Sequence, residues 1–131
     1  MADSHFPTPD PASLERGTVL TPAFDAQGLI GAILQHAESG EVLMLGWMNA
    51  EALKRTLESG EVWFFSRSRQ ALWHKGESSG QIQKVVEVRI DCDQDAVLVK
   101  VLPQGDGGVC HTGQRLCFYR VVEGGALRTA E

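Results

Sequence analysis

Residues 29–60, LIGAILQHAESGEVLMLGWMNAEALKRTLESG, contain the clearest signals for the fold. Two apolar, partly β-branched runs, LIGAILQHA and EVLMLGWM, meet at the polar sequence ESGE, which predicts two strands joined by a tight turn. Asn49 then occupies an N-cap position, and Gly60 is a typical helix stop. Between them, Leu53 and Leu57 share one helical face. The segment therefore predicts a strand pair followed by a helix.

Strand-like patterns dominate the rest of the chain. EVWFFS is aromatic and β-prone, whereas SRSRQALWHKGESSG is polar and indicates a loop or an irregular hairpin. AVLVKVL predicts another strand, PQGDGG a turn, and LCFYRVVE, residues 116–123, a last strand. We therefore expect an α+β fold, a small and mostly antiparallel β domain with one main helix at about residues 49–59.

The segment that begins at Gln81 alternates between apolar and polar residues with the period of a strand. One predicted face carries Ile82, Val86, Val88, Ile90 and Cys92, and the other carries Glu87, Arg89, Asp91 and Asp93. The pattern predicts a strand that separates the first cysteine from the neighbouring aspartates.

The length of 131 residues suits one domain with a single modest core. Residues 1–17 are rich in Pro, Asp and Ser and predict a mobile tail, which leaves residues 18–131 as the domain. The tail has neither the basic nor the apolar region of a secretory signal, and no apolar run approaches the roughly 18 residues of a spanning helix.

The charge and the cysteine content limit the partners that we expect. A net charge of −5 and a pI near 5.3 argue against a nucleic-acid partner, whose binding would need a basic surface. Three cysteines without an export signal predict thiols in a reducing compartment and hence a cytoplasmic protein. We expect a small-molecule substrate and no membrane partner.

Asp91, Asp93 and Asp95 form a DxDxD pattern around a predicted turn. Residues two apart on a strand project to the same side, roughly 7 Å from one another, so their carboxylates repel. A hard divalent cation would remove that repulsion, because carboxylate oxygens are ligands that Mg²⁺ prefers. The alternative is a solvated acidic turn, and spacing does not decide between them.

Cys92, Cys110 and Cys117 do not form CxxC pairs, so zinc-finger templates do not fit. Three protein ligands and an open fourth position are typical of catalytic zinc, which lowers the pKa of a bound water to about 7. His111 is placed either to supply a fourth ligand or to handle a proton. The alternative is that Cys92 is a small buried residue and the other two cysteines are incidental.

Several motifs occur together in an order and at a spacing that resemble one family. They are GEVLMLGWMNAEAL, FFSRSR, LWHKGESSG, DCDQDA, CHTG and CFYR, within about residues 24–120. The sequence resembles the phosphoribosyl-AMP cyclohydrolases, which act at the third step of histidine biosynthesis. The resemblance implies that water opens the adenine ring of phosphoribosyl-AMP between N1 and C6, with a formimino-aminoimidazole carboxamide ribonucleotide as product.

The same resemblance implies two metals and an intertwined homodimer. One zinc per subunit would bind Cys92 of one subunit and Cys110 and Cys117 of the other, and one Mg²⁺ per subunit would bind Asp91, Asp93 and Asp95. His111 is our choice for proton handling. The residues expected to contact the substrate and its two phosphates are Ser66, Arg67, Arg69, Trp73, Lys75, Ser78, Ser79 and Gly80.

The sequence departs from the family pattern at three positions. Gln81 replaces a common histidine, and Gly31 replaces a common proline. His74 lies at a variable position, and we assign it no catalytic role. The chain ends soon after CFYR, where many relatives continue into a pyrophosphohydrolase, so we expect a monofunctional form.

Two other functions share some of these features. A zinc nucleobase deaminase also hydrates a ring carbon, but it carries HxE followed by PCxxC, and neither motif occurs here. A non-catalytic module in which zinc only holds a dimer together would tolerate Asp91→Ala. The cyclohydrolase interpretation accounts for more of the motifs than either alternative.

Overall fold

The structure is a computed structural model that describes residues 5–12 and 14–130. Its elements in chain order are β1 (Ile30–His36), β2 (Val42–Met48), α1 (Ala50–Ser59), β3 (Trp63–Ser66), β4 (Ala71–His74), β5 (Gln83–Ile90), β6 (Ala96–Pro103), β7 (Arg120–Glu123) and β8 (Ala126–Thr129). The predicted α+β class is confirmed, since α1 is accompanied by strands that pair mostly in antiparallel fashion. In the part of the chain that the structure describes, no helix is long and apolar enough to cross a membrane.

The main sheet has four strands in the order β2–β1–β6–β5, beside two hairpins, β3–β4 and β7–β8. β1 pairs antiparallel with β2 and parallel with β6, so that Gly31 lies opposite both Trp47 and Ala96. β5 and β6 form an antiparallel hairpin, with Ile90 opposite Val97 at the end next to their connecting turn. That turn, residues 91–95, therefore lies at the end of the sheet where β1 begins.

The caps of α1 agree with the sequence prediction. The Asn49 side chain accepts a hydrogen bond from the Ala52 amide at 2.8 Å, which satisfies one of the free N–H groups of the first turn. Gly60 has φ 73° and donates its N–H to the Thr56 carbonyl at 3.2 Å. Leu53 is buried, whereas Leu57 on the same face is partly exposed at the edge of the core. The helix thus packs one face against the sheet.

Alternating side chains of the central strands form the core. The fully buried apolar residues include Ile30, Ala32 and Leu34 of β1, Leu43 and Met48 of β2, and Val97, Val99 and Val101 of β6, with Leu53 and Phe64 packed against them. Burying one such large side chain contributes about 1.5–3 kcal/mol, so this layer is the main favourable term in folding.

The predicted faces of β5 are wrong at Val86 and at Cys92. A β-bulge between Val85 and Glu87 inserts one extra residue, which reverses the alternation and leaves Val86 57% exposed. The strand ends at Ile90, so Cys92 lies in the following turn and is exposed. The alternative of a buried Cys92 is therefore wrong as well.

The predicted last strand, residues 116–123, is wrong in its first half. Only Arg120–Glu123 is a strand, and it pairs with Ala126–Thr129 through a turn at Gly124 and Gly125, both with positive φ. The residues that precede this strand lie beside β2 instead. There the Cys117 amide donates a hydrogen bond to the Leu43 carbonyl at 2.7 Å. This contact takes the backbone of Cys117 out of the strand that its apolar neighbours predicted.

The N-terminal segment contacts the turn between β5 and β6. The buried Gln94 side chain accepts a hydrogen bond from the Thr21 amide at 2.8 Å and donates to the Leu14 carbonyl at 2.9 Å. In the same part of the chain, the ring centroids of Phe6 and Phe24 lie 6.3 Å apart. Residues 1–4 and 13 of the predicted tail, and residue 131, lie outside the described residues, and the mobility of the tail stays a prediction.

Gly46→Ala is expected to destabilise the fold, because a Cβ at this position would lie 2.5 Å from the Phe64 ring, which is buried. We expect a loss of about 1–3 kcal/mol in the free energy of unfolding, measured by urea denaturation. The control is Gly31→Ala, whose Cβ would meet Trp47 at an ordinary 3.6 Å. Equal stability of the two variants would contradict the prediction.

Candidate functional site

Cys110 and Cys117 form a thiol pair in the segment between β6 and β7. Cys110 is buried and Cys117 is half-buried, and the two side chains are close enough to hydrogen-bond. Thr112 donates its hydroxyl hydrogen to the Cys110 sulfur at 3.0 Å. The pair is thus held by one side-chain donor and by the backbone bond from Cys117 to β2.

The surroundings give the two thiols different acidities. Burial opposes ionisation of Cys110, but the hydrogen bonds from Thr112 and the nearby Lys75 charge lower its pKa below the ordinary value. Burial, followed by the negative charge of Cys110, raises the pKa of Cys117 to about 11. Cys110 is therefore the more acidic thiol of the pair, and Cys117 is the less acidic one.

Lys75 lies beside the thiol pair and is only 6% exposed. Its ammonium donates a hydrogen bond to the carbonyl of Val109, the residue before Cys110, and lies 5.2 Å from the centre of the Trp73 ring. Burial lowers the pKa of Lys75 below its ordinary value, although the nearby charges of Cys117 and Cys110 oppose that shift. A buried cation therefore faces two potential thiolates.

Cys92 lies apart from the thiol pair within one chain. Cys92 lies in the turn that follows Ile90, at the end of β5. Lys75, which lies beside the thiol pair, donates its backbone N–H to the Val62 carbonyl, and the Val62 amide donates to the carbonyl of Gln83 at the opposite end of that strand. The eight residues of β5 span roughly 23 Å at the usual rise per residue. One copy of the chain thus brings together two of the three predicted zinc ligands.

The three aspartates of the turn converge as predicted. Their carboxylate oxygens lie within 4.8 Å of one another, and among the described residues they are the one group of three such donors. Asp91 accepts hydrogen bonds from the amides of Asp95 at 2.9 Å and Ala96 at 3.0 Å, and Gln94 has a left-handed φ of 58°. The turn therefore folds Asp95 back beside the other two carboxylates.

The close contacts among the three aspartates shift their acidities in opposite directions. Hydrogen bonding to Asp93 and Asp91, burial and their negative charges raise the pKa of Asp95 to about 6. Burial alone would raise the pKa of Asp91. The hydrogen bonds from Asp95 and Ala96 outweigh this effect, so the pKa lies below its usual value. Ionisation of Asp91 is thus favoured over ionisation of Asp95.

Two neighbouring clefts contain most of the predicted substrate contacts. The first, which we call the arginine cleft, has a volume of about 700 Å³ and is lined by Ser66, Arg67, Arg69 and Trp73 among others. The Arg67 guanidinium stacks 4.6 Å above the Trp47 ring on its wall. Arg67 and Arg69 are both exposed, so their charges are open to a ligand.

The second cleft, which we call the histidine cleft, has a volume of about 370 Å³. Its lining includes Arg69, Trp73, Lys75, Ser78, Ser79 and His111. The two clefts share Arg69 and Trp73. Of the predicted residues, Gly80 lines neither cleft, and its amide donates to the Gly76 carbonyl at 2.8 Å within its own loop.

Polar contacts that the sequence did not reveal fix the segment before Cys110. Gln81, the residue in the place of a histidine, donates its amide to Asp106 at 2.9 Å, and Asp106 also accepts from the Gly108 amide at 2.8 Å. The DGG sequence at 106–108 is a turn signal that could have suggested the second bond. No sequence signal indicates the bond from Gln81 or the role of the Val109 carbonyl.

His74 is engaged within the fold. Its Nε2 lies 2.8 Å from a carboxylate oxygen of Glu61, and its ring stacks on Trp63 with the centroids 4.5 Å apart. Glu77 lies 3.6 Å from the other ring nitrogen. These contacts tie His74 to the fold, although its side chain also lines the histidine cleft.

Comparison with known proteins shows the family. The family model described as phosphoribosyl-AMP cyclohydrolase matches residues 44–119. The chain is 64% identical over 121 residues to the phosphoribosyl-AMP cyclohydrolase of Caulobacter sp. (strain K31), with 92% of this chain and 90% of that protein covered. It is 59% identical over 113 residues to that of Rhodopseudomonas palustris (strain BisA53), with 86% and 76% covered. The resemblance carried by the motifs is confirmed, and the chain belongs to the phosphoribosyl-AMP cyclohydrolase family of hydrolases.

Proposed function

We propose that this protein adds water to C6 of the adenine ring of 1-(5-phosphoribosyl)-AMP and breaks the N1–C6 bond, in histidine biosynthesis. The observation that carries the proposal is the histidine cleft, where His111, Trp73 and Arg69 share one cavity next to the thiol pair. The family of the chain supports the same substrate. The product is the formimino-aminoimidazole carboxamide ribonucleotide.

The thiol pair fits a zinc ion in its donor chemistry. Cys110 and Cys117 are adjacent soft donors beside a buried cation, and Cys92 of a second copy would supply the third thiolate. A zinc ion held by three thiolates keeps a fourth position for water and lowers the pKa of that water towards about 7. One such ion per subunit is expected.

His111 faces the histidine cleft and follows Cys110 directly, so it is placed to move a proton. We propose that a ring nitrogen of His111 takes one proton from the attacking water and delivers it to N1 as the N1–C6 bond breaks. The second proton of the water passes to the exocyclic nitrogen on C6, which becomes the carboxamide nitrogen. Imidazole suits this exchange because it gains and loses a proton near neutral pH. The alternative is that His111 is a fourth ligand of the zinc ion.

The aspartate cluster fits one Mg²⁺ per subunit. Three oxygens within 4.8 Å whose repulsion is unrelieved are the donor set that a hard cation favours. Because Cys92 lies between Asp91 and Asp93 in sequence, a second copy that presents Cys92 to the thiol pair also brings this cluster there. Both metals would then lie near the substrate, where Mg²⁺ could bridge to a phosphate.

The two clefts suit a substrate with a phosphate at each end. We propose that Ser66, Arg67 and Arg69 bind one phosphate in the arginine cleft and that Ser78 and Ser79 bind the other in the histidine cleft. Trp73, which lines both clefts, is placed to stack on the purine between them. These exposed groups give an acidic protein a local site for anions.

We propose a homodimer in which the C-terminal hairpin packs on the second copy. Among the described elements, β7 and β8 pair with each other and pack extensively on no other strand or helix. Val122 is 75% exposed and Leu127 is 56% exposed, and Phe118 just before the hairpin is exposed too. A two-stranded hairpin is only marginally stable alone in water, so a second copy supplies the missing contact.

The purified protein is expected to open the ring of phosphoribosyl-AMP, followed as a change in ultraviolet absorbance. Removal of metal should abolish turnover, and zinc together with Mg²⁺ should restore it, because water alone is a poor nucleophile at neutral pH. Cys110→Ser is the matched variant, and it should stay inactive after zinc is added. No turnover by fully loaded protein would reject catalysis in favour of a zinc-linked structural dimer.

A mixing experiment tests the shared zinc site. Cys92→Ser and Cys110→Ser variants are each expected to be inactive. After unfolding and refolding together in equal amounts, half of the dimers would be mixed and each would contain one intact site, which gives about one quarter of wild-type activity. If all three thiols came from one chain, mixing would restore nothing.

Asp95→Asn is expected to stabilise the metal-free protein at pH 7.5 and to remove its response to Mg²⁺. The pKa of Asp95 is about 6 in the folded chain against 3.8 for the free side chain. The folded chain therefore binds more protons between these values, and its stability falls as pH rises through that window.

The urea midpoint of metal-free Asp95→Asn should accordingly exceed that of the wild type most at pH 7.5, and the difference should shrink towards pH 4. Glu58→Gln, an exposed carboxylate on α1, serves as the control for loss of one negative charge. A variant that lost stability in the absence of metal would show that Asp95 has a favourable structural role in the turn.

A further inference from the structure

We propose that Lys75 is a positioning residue of the thiol pair, which holds the backbone before Cys110 and offsets thiolate charge. This assignment replaces the expectation that its ammonium binds a substrate phosphate. It rests on the proposed zinc site and goes beyond it, because it names the chain's own counter-charge for that site.

The position of the ammonium is the first observation. Lys75 is 6% exposed although it lines the histidine cleft, and its Nζ donates to the Val109 carbonyl. Val109 is itself fully buried, and its carbonyl belongs to the peptide bond that leads into Cys110. The Trp73 ring covers the ammonium at 5.2 Å. A phosphate in the cleft would have to draw this side chain away from a bond that the fold supplies.

The proposed zinc site also needs a counter-charge. A divalent ion with three thiolates carries one net negative charge, and an unpaired charge is costly to bury. Lys75 is a buried cation beside both Cys110 and Cys117, so it makes the assembled centre neutral. Residues next to a metal site can tune its affinity by donating a hydrogen bond to the loop that carries the ligands and by placing a charge near it.

The other cations of the clefts differ from Lys75 in their exposure to solvent. Arg67 and Arg69 are exposed and open towards solvent in the arginine cleft, where a substrate phosphate can reach them. The geometry therefore separates two tasks, phosphate binding by exposed guanidinium groups and positioning of the thiol pair by the buried ammonium.

The test compares Lys75→Met with Lys84→Met, which removes the same charge from an exposed position on β5. Zinc affinity is measured by competition with a chromogenic chelator, and the ligand geometry is followed through the absorption spectrum of the Co²⁺-loaded protein. Lys75→Met is expected to weaken zinc binding by about 10- to 100-fold and to shift the Co²⁺ bands, with KM at saturating zinc within about twofold of wild type. Lys84→Met should match the wild type in all three.

Unchanged zinc affinity in folded Lys75→Met, or a tenfold rise in KM with zinc affinity intact, would overturn the proposal, the latter in favour of phosphate binding. Arg69→Met provides the reverse pattern, a raised KM with normal zinc binding. If Lys75→Met does not fold by circular dichroism, Lys75→Arg replaces it. That variant keeps a cation and N–H donors, so it should bind zinc within about threefold of wild type, and a tenfold loss would overturn the proposal.

The same measurements distinguish an error in the zinc assignment from an error in the role of Lys75. If wild-type protein binds no stoichiometric zinc, or if Cys110→Ser binds it equally well, the zinc assignment itself is wrong. If wild-type binding depends on Cys110 and Lys75→Met equals Lys84→Met, only the role of Lys75 is wrong.

Discussion

The parallel pairing of β1 with β6 determines where the chemistry of this chain is located. It fixes the direction of β6, and through the β5–β6 hairpin it places the aspartate turn at the end of the sheet where β1 begins. The chain then runs along β6 to the far end before it reaches Cys110. The aspartates with Cys92, and the thiol pair with its clefts, are consequently separated by the length of the hairpin. Within one chain the three cysteines therefore do not converge, and the proposed zinc site uses two copies.

Burial divides the basic residues of the site into two kinds. Arg67 and Arg69 belong to the segment after β3 and line an open cleft, where solvent screens their charges. Lys75 follows β4 and is enclosed by Trp73 and the Val109 carbonyl, so its charge is screened less and acts more strongly on its neighbours. Under the two proposals above, exposed basic residues would bind phosphate and a buried one would position the thiol pair.

The regular parts of the fold were predictable because each carries a local signal. The strands β1 and β2 follow from apolar runs around a turn, and α1 follows from Asn49 and Gly60, whose capping bonds depend on neighbouring residues alone. The convergence of the aspartates was also predictable from their spacing, although it depends on a left-handed Gln94 that sequence does not reveal. The motifs predicted the family because their order and spacing are specific.

The remaining features depend on contacts between distant residues. The bulge at Val86 adds one residue to β5 without any glycine or proline to mark it. The burial of Lys75 runs against the general exposure of lysine, and it follows from the path of residues 104–119 across the sheet, which no periodicity describes. Gln81 and Asp106 meet for the same reason.

The exposed position of Cys92 would make catalytic competence depend on assembly if the proposed shared zinc site is correct. Under the proposed arrangement, a separated chain has two thiols at one end and a third at the other, and none of its clefts is complete. The fraction of finished centres would then follow the association equilibrium of the chains, so specific activity would decline on dilution below the dissociation constant of the dimer. Newly made chains would stay inert towards the nucleotide until two of them had met.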